Sequence, residues 1–135
     1  MILNRGIPNG FLKENPHGIE QLNTIPDAIQ EMMLQSCEGM IRIFPVWPRA
    51  EHPNAFFRNF RAWGGLEVSA ALKDGEVERV SILSHKGHPC RVEKPMAREK
   101  SVKVSYEYGR PDEVHFGEYL NIELYKEEHA ELFRI

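Results

Sequence analysis

Two histidines and a cysteine close together, in His85-Lys-Gly-His-Pro-Cys90, have the donor types of a metal site. Zinc takes about four such ligands in a tetrahedron, and no fourth donor stands nearby in the sequence. A hairpin turn carrying surface histidines is the simpler expectation, and no metal or other cofactor is assigned. The second thiol, Cys37, has neither an adjacent base nor an electropositive run to activate it as a nucleophile, so it is read as a core residue. Two free buried thiols are expected rather than a disulfide, because Cys37 falls on a predicted helix and Cys90 on a predicted strand. Aromatic residues supply the other suggestive chemistry. Phe44, Trp47, Phe56, Phe57, Phe60 and Trp63 form a band along one stretch of chain. Flat rings suit the C–H edges of sugars, but large aromatics also fill cores and domain joints. Packing is expected for most of the band, with Trp47 as the candidate sugar contact.

The elements that must position these groups follow from periodicity. Residues 1–23 hold Pro8, Gly10, Pro16 and Gly18 with no sustained period, which predicts an irregular lead-in. A helix is predicted over Thr24 to Cys37. Asn23 or Thr24 can cap it, Pro26 suits its first turn, and Gly39 ends it. At 100° per residue Ile25, Ala28, Ile29, Met32, Met33 and Ser36 share a face, opposite Asp27, Glu31 and Glu38. Leu34 falls on the charged side, which suggests a second packing partner. Met40–Phe44 reads as a strand, and Pro45, Pro48 and Pro53 then force an extended connector to about Asn54.

From Phe56 onward the chain reads as consecutive antiparallel strands. Val68, Ala70 and Leu72 alternate with polar residues, and Asp74-Gly75 is a two-residue hairpin turn into Val77–Ser84. A second reversal at His85–His88 leads to Pro89–Glu93. Val102, Val104 and Tyr106 alternate, as do Leu120, Ile122 and Leu124. Six or seven short strands with frequent turn signals predict a mainly β chain, an antiparallel β-sandwich preceded by one amphipathic helix. Val68, Leu72, Val80, Ile82, Val102, Val104, Ile122 and Leu124 are the expected core.

Composition narrows the partners. With 135 residues, 41% apolar, 27% charged and a formal net charge of −3, the chain can bury one moderate core. Its basic residues are scattered, so no nucleic-acid footprint is expected. No run approaches the roughly 18–20 apolar residues of a membrane span. The first dozen residues are interrupted by Asn, Arg, Gly and Pro and do not read as a signal peptide, so they give no localisation.

Three blocks carry a resemblance. Glu31-Met-Met-Leu-Gln-Ser36, Phe44-Pro-Val-Trp-Pro48 and Phe60-Arg-Ala-Trp-Gly-Gly-Leu-Glu-Val68 resemble, in order and spacing, the carboxy-terminal part of glycoside hydrolase family 95, the α-L-fucosidase-like enzymes. The family pattern there is roughly E-M-L-L-Q-S-H, L-P-A-L-P and G-L-R-A-R-G-G-F-E-V. The likeness runs from about Gly18 to Cys90. Enzymes of that family are far longer than this chain, so the resemblance implies the carboxy-terminal fragment of an inverting glycosidase. Residues 1–48 would be the terminal loop, last helix and connector of an (α/α)6 catalytic barrel, and 49–135 an accessory β-sandwich. The parent would be periplasmic or secreted and would act on an oligosaccharide or other glycoside. The fragment would self-associate or pack on its barrel.

The resemblance also implies site residues. Family members carry an aspartate eleven residues before the first glutamate of the E-M-L-L-Q-S block, and the same count back from Glu31 reaches Glu20. Hydrolysis with inversion needs a group that activates water opposite the leaving oxygen, and Glu20 would take that catalytic place in the parent, the alternative being a solvated loop glutamate. His17 and Asn23 flank it as candidate hydrogen-bond partners of sugar hydroxyls, or as turn and capping residues. Arg61 matches the first arginine of R-A-R-G-G, either as a tie between connector and barrel or as a substrate contact. Trp63 replaces the second arginine, and Cys37 stands where the family has histidine. The general acid would lie outside this chain, which is therefore expected to be inactive alone. The rival expectation is a non-catalytic β-sandwich that binds carbohydrate or a partner protein by itself.

Overall fold

A computed structural model describes residues 19–97 and 100–135, with side chains from residue 25 onward. Its elements are α1 (Ile19–Met33), β1 (Leu34–Gln35), β2 (Met40–Ile43), β3 (Ala55–Ala62), β4 (Leu66–Lys73), β5 (Glu76–Ser84), β6 (Cys90–Glu93), β7 (Val102–Tyr106), β8 (Glu113–His115), β9 (Tyr119–Ile122) and β10 (Glu128–Arg134). A single 3-10 turn, Cys37–Gly39, joins β1 to β2. Two sheets result, one in the order β3-β4-β5-β10-β7-β8 and one in the order β1-β2-β6-β9. Among the described residues the chain is mainly β and mostly antiparallel, with one helix before the strands.

Strand alternation fixes the core. Val68, Val80, Ile82, Val102, Val104 and Ile122 are fully buried, and Leu72 and Leu124 nearly so. Leu34, Ile41, Ile43 and Phe44 join the same cluster, so both sheets share one apolar interior. The Asp74-Gly75 turn forms as expected, closed by the Lys73–Glu76 pair, with φ of 51° and 77° at its two central residues. Both values are left-handed, the geometry whose twist matches a tight hairpin. The connector pins this turn from outside. Asn54 Oδ1 accepts from the Asp74 amide at 3.0 Å, and the Gly75 amide donates to the Pro53 carbonyl at 2.8 Å.

Several expectations need correction. The helix is shifted toward the amino terminus, so Pro26 stands inside it rather than in its first turn. A proline there removes one backbone bond and crowds the carbonyl four residues back, yet the helix continues past it. At its other end the Met33 carbonyl accepts the Phe44 amide at 2.7 Å, and the chain turns into β1. Leu34 is consequently no helical misfit. It is a strand residue opposite Ile43, 3% exposed, and covered by this chain's own core. The His85–His88 reversal does not return to a neighbouring strand, because β5 and β6 lie in different sheets. There β6 pairs parallel with β2, so the strands after Phe56 are not a simple antiparallel succession.

The largest omission is β10, which lies at the heart of the six-stranded sheet between β5 and β7. Its inward positions are Glu128, Ala130 and Leu132, all fully buried. A carboxylate and an alanine at two of the three inward sites erase the apolar alternation that marks a strand. The four-stranded sheet also draws β1 and β2 together with β6 and β9, across the position between Pro48 and Arg49.

Candidate functional site

The three sequence blocks, separated by short stretches within residues 31–68, meet in space. β1 from the first block pairs with β2, whose end leads into the second. The Phe44 ring lies 6.0 Å from Trp47, edge to face, and 5.4 Å from Phe57, which stacks on Phe60 at 4.7 Å. Arg49 fastens this cluster by donating to the carbonyls of Phe44 and Gly75, each at 3.2 Å. The first and third blocks meet where the Trp63 amide donates to Ser36 Oγ at 3.1 Å.

Trp63-Gly64-Gly65 is the tip of the β3–β4 hairpin, closed by Ala62 opposite Leu66. Gly64 and Gly65 have φ of 88° and 71°, and a Cβ at Gly65 would meet the Lys86 side chain at 2.8 Å. Both glycines therefore supply a reversal that other residues take only with strain. Beside this tip a cleft of about 420 Å³ opens between the two sheets. Ser36, Glu38, Trp63, Gly64, Pro89 and Arg91 are among its walls, and the buried Cys90 lies at the same place. Trp63 is 79% exposed.

The residues singled out from sequence fare differently. Trp47 is partly buried against the core, and its indole N–H donates to the His52 carbonyl at 2.9 Å, as packing requires. Arg61 forms an ion pair with Glu67 at 3.3 Å, within this chain. Glu67 also meets His85 Nε2 at 3.2 Å, while His85 Nδ1 faces Glu127 at 3.3 Å. His88 is exposed, and among the described residues no group of three or more His, Cys, Asp or Glu is arranged to hold a metal ion. Glu20 and Asn23 belong to the first turns of α1 rather than to a loop before it. His17 lies outside the described residues.

Cys37 is exposed rather than in the core, because the chain has left the helix and Cys37 opens the turn between β1 and β2. Arg42 Nη1 approaches its sulfur at 3.7 Å. Cys90 is buried, and burial pushes its thiol up to about 12. A thiol reagent such as Ellman's should therefore titrate one equivalent quickly in the native chain and the second only after denaturation. Two fast equivalents would mean that Cys90 is open to solvent.

Sequence reasoning missed a second polar assembly. Glu128 is fully buried and accepts from Arg110 Nε at 3.1 Å, from Arg110 Nη2 at 2.9 Å and from the Tyr125 amide at 2.8 Å. The Arg110 guanidinium lies 3.9 Å from the Tyr106 ring centre and 4.6 Å from that of Tyr125. The Tyr106 hydroxyl is buried without a well-aligned hydrogen-bond partner among the described residues. Burial first, then the nearby Glu113 carboxylate, holds its ionisation well above the usual tyrosine range. An arginine eighteen residues before a glutamate carries no local signal, so only the fold brings them together.

No protein-family model matches this chain, and no curated protein matches it.

Proposed function

We propose that this chain is the carboxy-terminal part of a family 95-like, α-L-fucosidase-like glycoside hydrolase that works with inversion. In this reading α1 is the last helix of an (α/α)6 barrel, Glu20 is its water-activating carboxylate, and the two sheets are an accessory β-sandwich behind it. The observation that supports it is the convergence of the three resembling blocks on one junction, through the Ser36–Trp63 hydrogen bond and the Phe44–Phe57–Phe60 aromatic cluster. The cluster begins at Phe44, whose amide binds the Met33 carbonyl at the end of α1, and packed aromatics there suit a joint between domains better than an open sugar platform. The helix is also thinly covered. Of its described side chains, Met33 packs against the common core, while Ile29 is exposed.

The rival reading, a stand-alone sandwich that binds carbohydrate or protein, is favoured by the exposed Trp63 beside its cleft. Sequencing the genomic locus upstream of Met1 separates the two. An in-frame stretch encoding a helical barrel supports the enzyme, and an independent start with its own promoter supports the module.

The thin cover over α1 has a solution consequence. The chain is expected to self-associate through α1 and residues 44–60, where Val46 and Phe56 are also exposed, since bare apolar patches tend to find partners. Light scattering that shows a clean monomer at high concentration would count against this.

A further inference from the structure

We propose that the cleft beside the Trp63 hairpin tip binds a single pyranoside ring. The volume of about 420 Å³ lies within the range of about 300–1,000 Å³ common for small-molecule sites. Its lining is mostly apolar, with a few polar groups that no described residue engages. Glu38 makes no hydrogen bond or ion pair with any described residue. Arg91 rests its guanidinium on the Tyr119 ring at 4.5 Å, which holds the group in place and leaves its N–H donors unengaged by described residues. The Trp63 backbone amide is held by Ser36, while the residue is 79% exposed and its ring meets no other ring among the described residues.

Opposite charges in one cleft normally close on each other, as Arg42 does with Glu93 at 3.3 Å nearby. Glu38 and Arg91 line the same cleft and form no such pair. A carboxylate acceptor, a guanidinium with parallel donors and a flat indole are together the complement of a ring with an apolar C–H face and adjacent hydroxyls. A charged ligand would leave one of the two ionic groups opposed, whereas a neutral polyhydroxylated ring satisfies both. The cleft stands on these residues alone. The choice of a glycoside over another neutral ring rests in part on the glycosidase reading.

The test is a titration of the full 135-residue chain with methyl α-L-fucoside, methyl β-D-galactoside and methyl α-D-glucoside, followed by amide and indole NMR. At least one glycoside should give saturable shifts at Gly39, Gly64, Gly65 and the Trp63 indole. Trp63→Ala should weaken binding about tenfold or more, and Glu38→Gln and Arg91→Gln each about fivefold, from the loss of an aromatic contact or a charge-assisted hydrogen bond. Phe116→Ala, at another exposed aromatic, should leave it unchanged. Three results would each overturn the proposal. They are no saturable shift with any of the three glycosides, shifts unaltered in both Trp63→Ala and Glu38→Gln, or equal shifts with sorbitol. Such a failure removes the cleft and leaves the larger-enzyme reading standing, because that reading is tested at the genomic locus.

Discussion

Replacing Glu128 with alanine is expected to cost the fold about 3–5 kcal/mol, the usual penalty for breaking a buried ion pair by removing one partner. The carboxylate is fully buried and organises three donors: two from Arg110 and the amide of Tyr125. Its loss would strand a guanidinium that also holds the Glu123 carbonyl at 2.6 Å and lies against Tyr106 and Tyr125. Because β10 is the central strand of its sheet, the damage would be global, and a domain stable by about 5–15 kcal/mol would lose a large part of its margin. Replacing both partners together, with Glu128→Met and Arg110→Met, should cost less than Glu128→Ala alone, since no uncompensated charge remains. Guanidinium unfolding midpoints measure both. A midpoint unchanged in Glu128→Ala would show that water or another group satisfies Arg110, and the pair would then not hold β10.

The same assembly shows where sequence stops being legible. Alternation revealed the burial of Val68, Val80, Ile82, Val102, Val104 and Ile122 because a half-buried strand hides every second residue, and those positions are plainly apolar. Asp74-Gly75 revealed its turn because left-handed backbone restricts the residue choice. In contrast, β10 carries an ion pair at an inward position, and its partner arrives from a loop eighteen residues away. Leu34 misled for a related reason. Helical spacing in the sequence continues four residues past the real helix end at Met33, which is set by a hydrogen bond from Phe44 that no local pattern encodes. The cleft was illegible too. Glu38, Trp63 and Arg91 come from three separate turns and strands, and Trp63 read in sequence as one aromatic in a band meant for packing.

Incubated with aryl fucosides and galactosides, the 135-residue chain is expected to release no product. Glycosidic bonds break through an oxocarbenium-like state that needs an acid at the leaving oxygen and a second group to activate water or attack carbon. Among the described residues the one carboxylate lining the Trp63 cleft is Glu38, and Arg91 rather than a second acid lines it with Glu38. Glu20, the candidate from the resemblance, belongs to α1, and in the enzyme reading its opposing wall comes from the barrel. Without that wall, the site lacks the preorganised charge stabilisation that usually carries the largest share of an enzyme's rate. Enzymes accelerate such reactions by at least about a millionfold, so the assay has a wide margin. Turnover above the uncatalysed rate that disappears in Glu20→Ala would overturn the fragment reading and make this chain a compact enzyme. Glycoside binding at Trp63 without turnover is the outcome that fits both the accessory role and the cleft, because a ring can be held there with no second acid to cleave it.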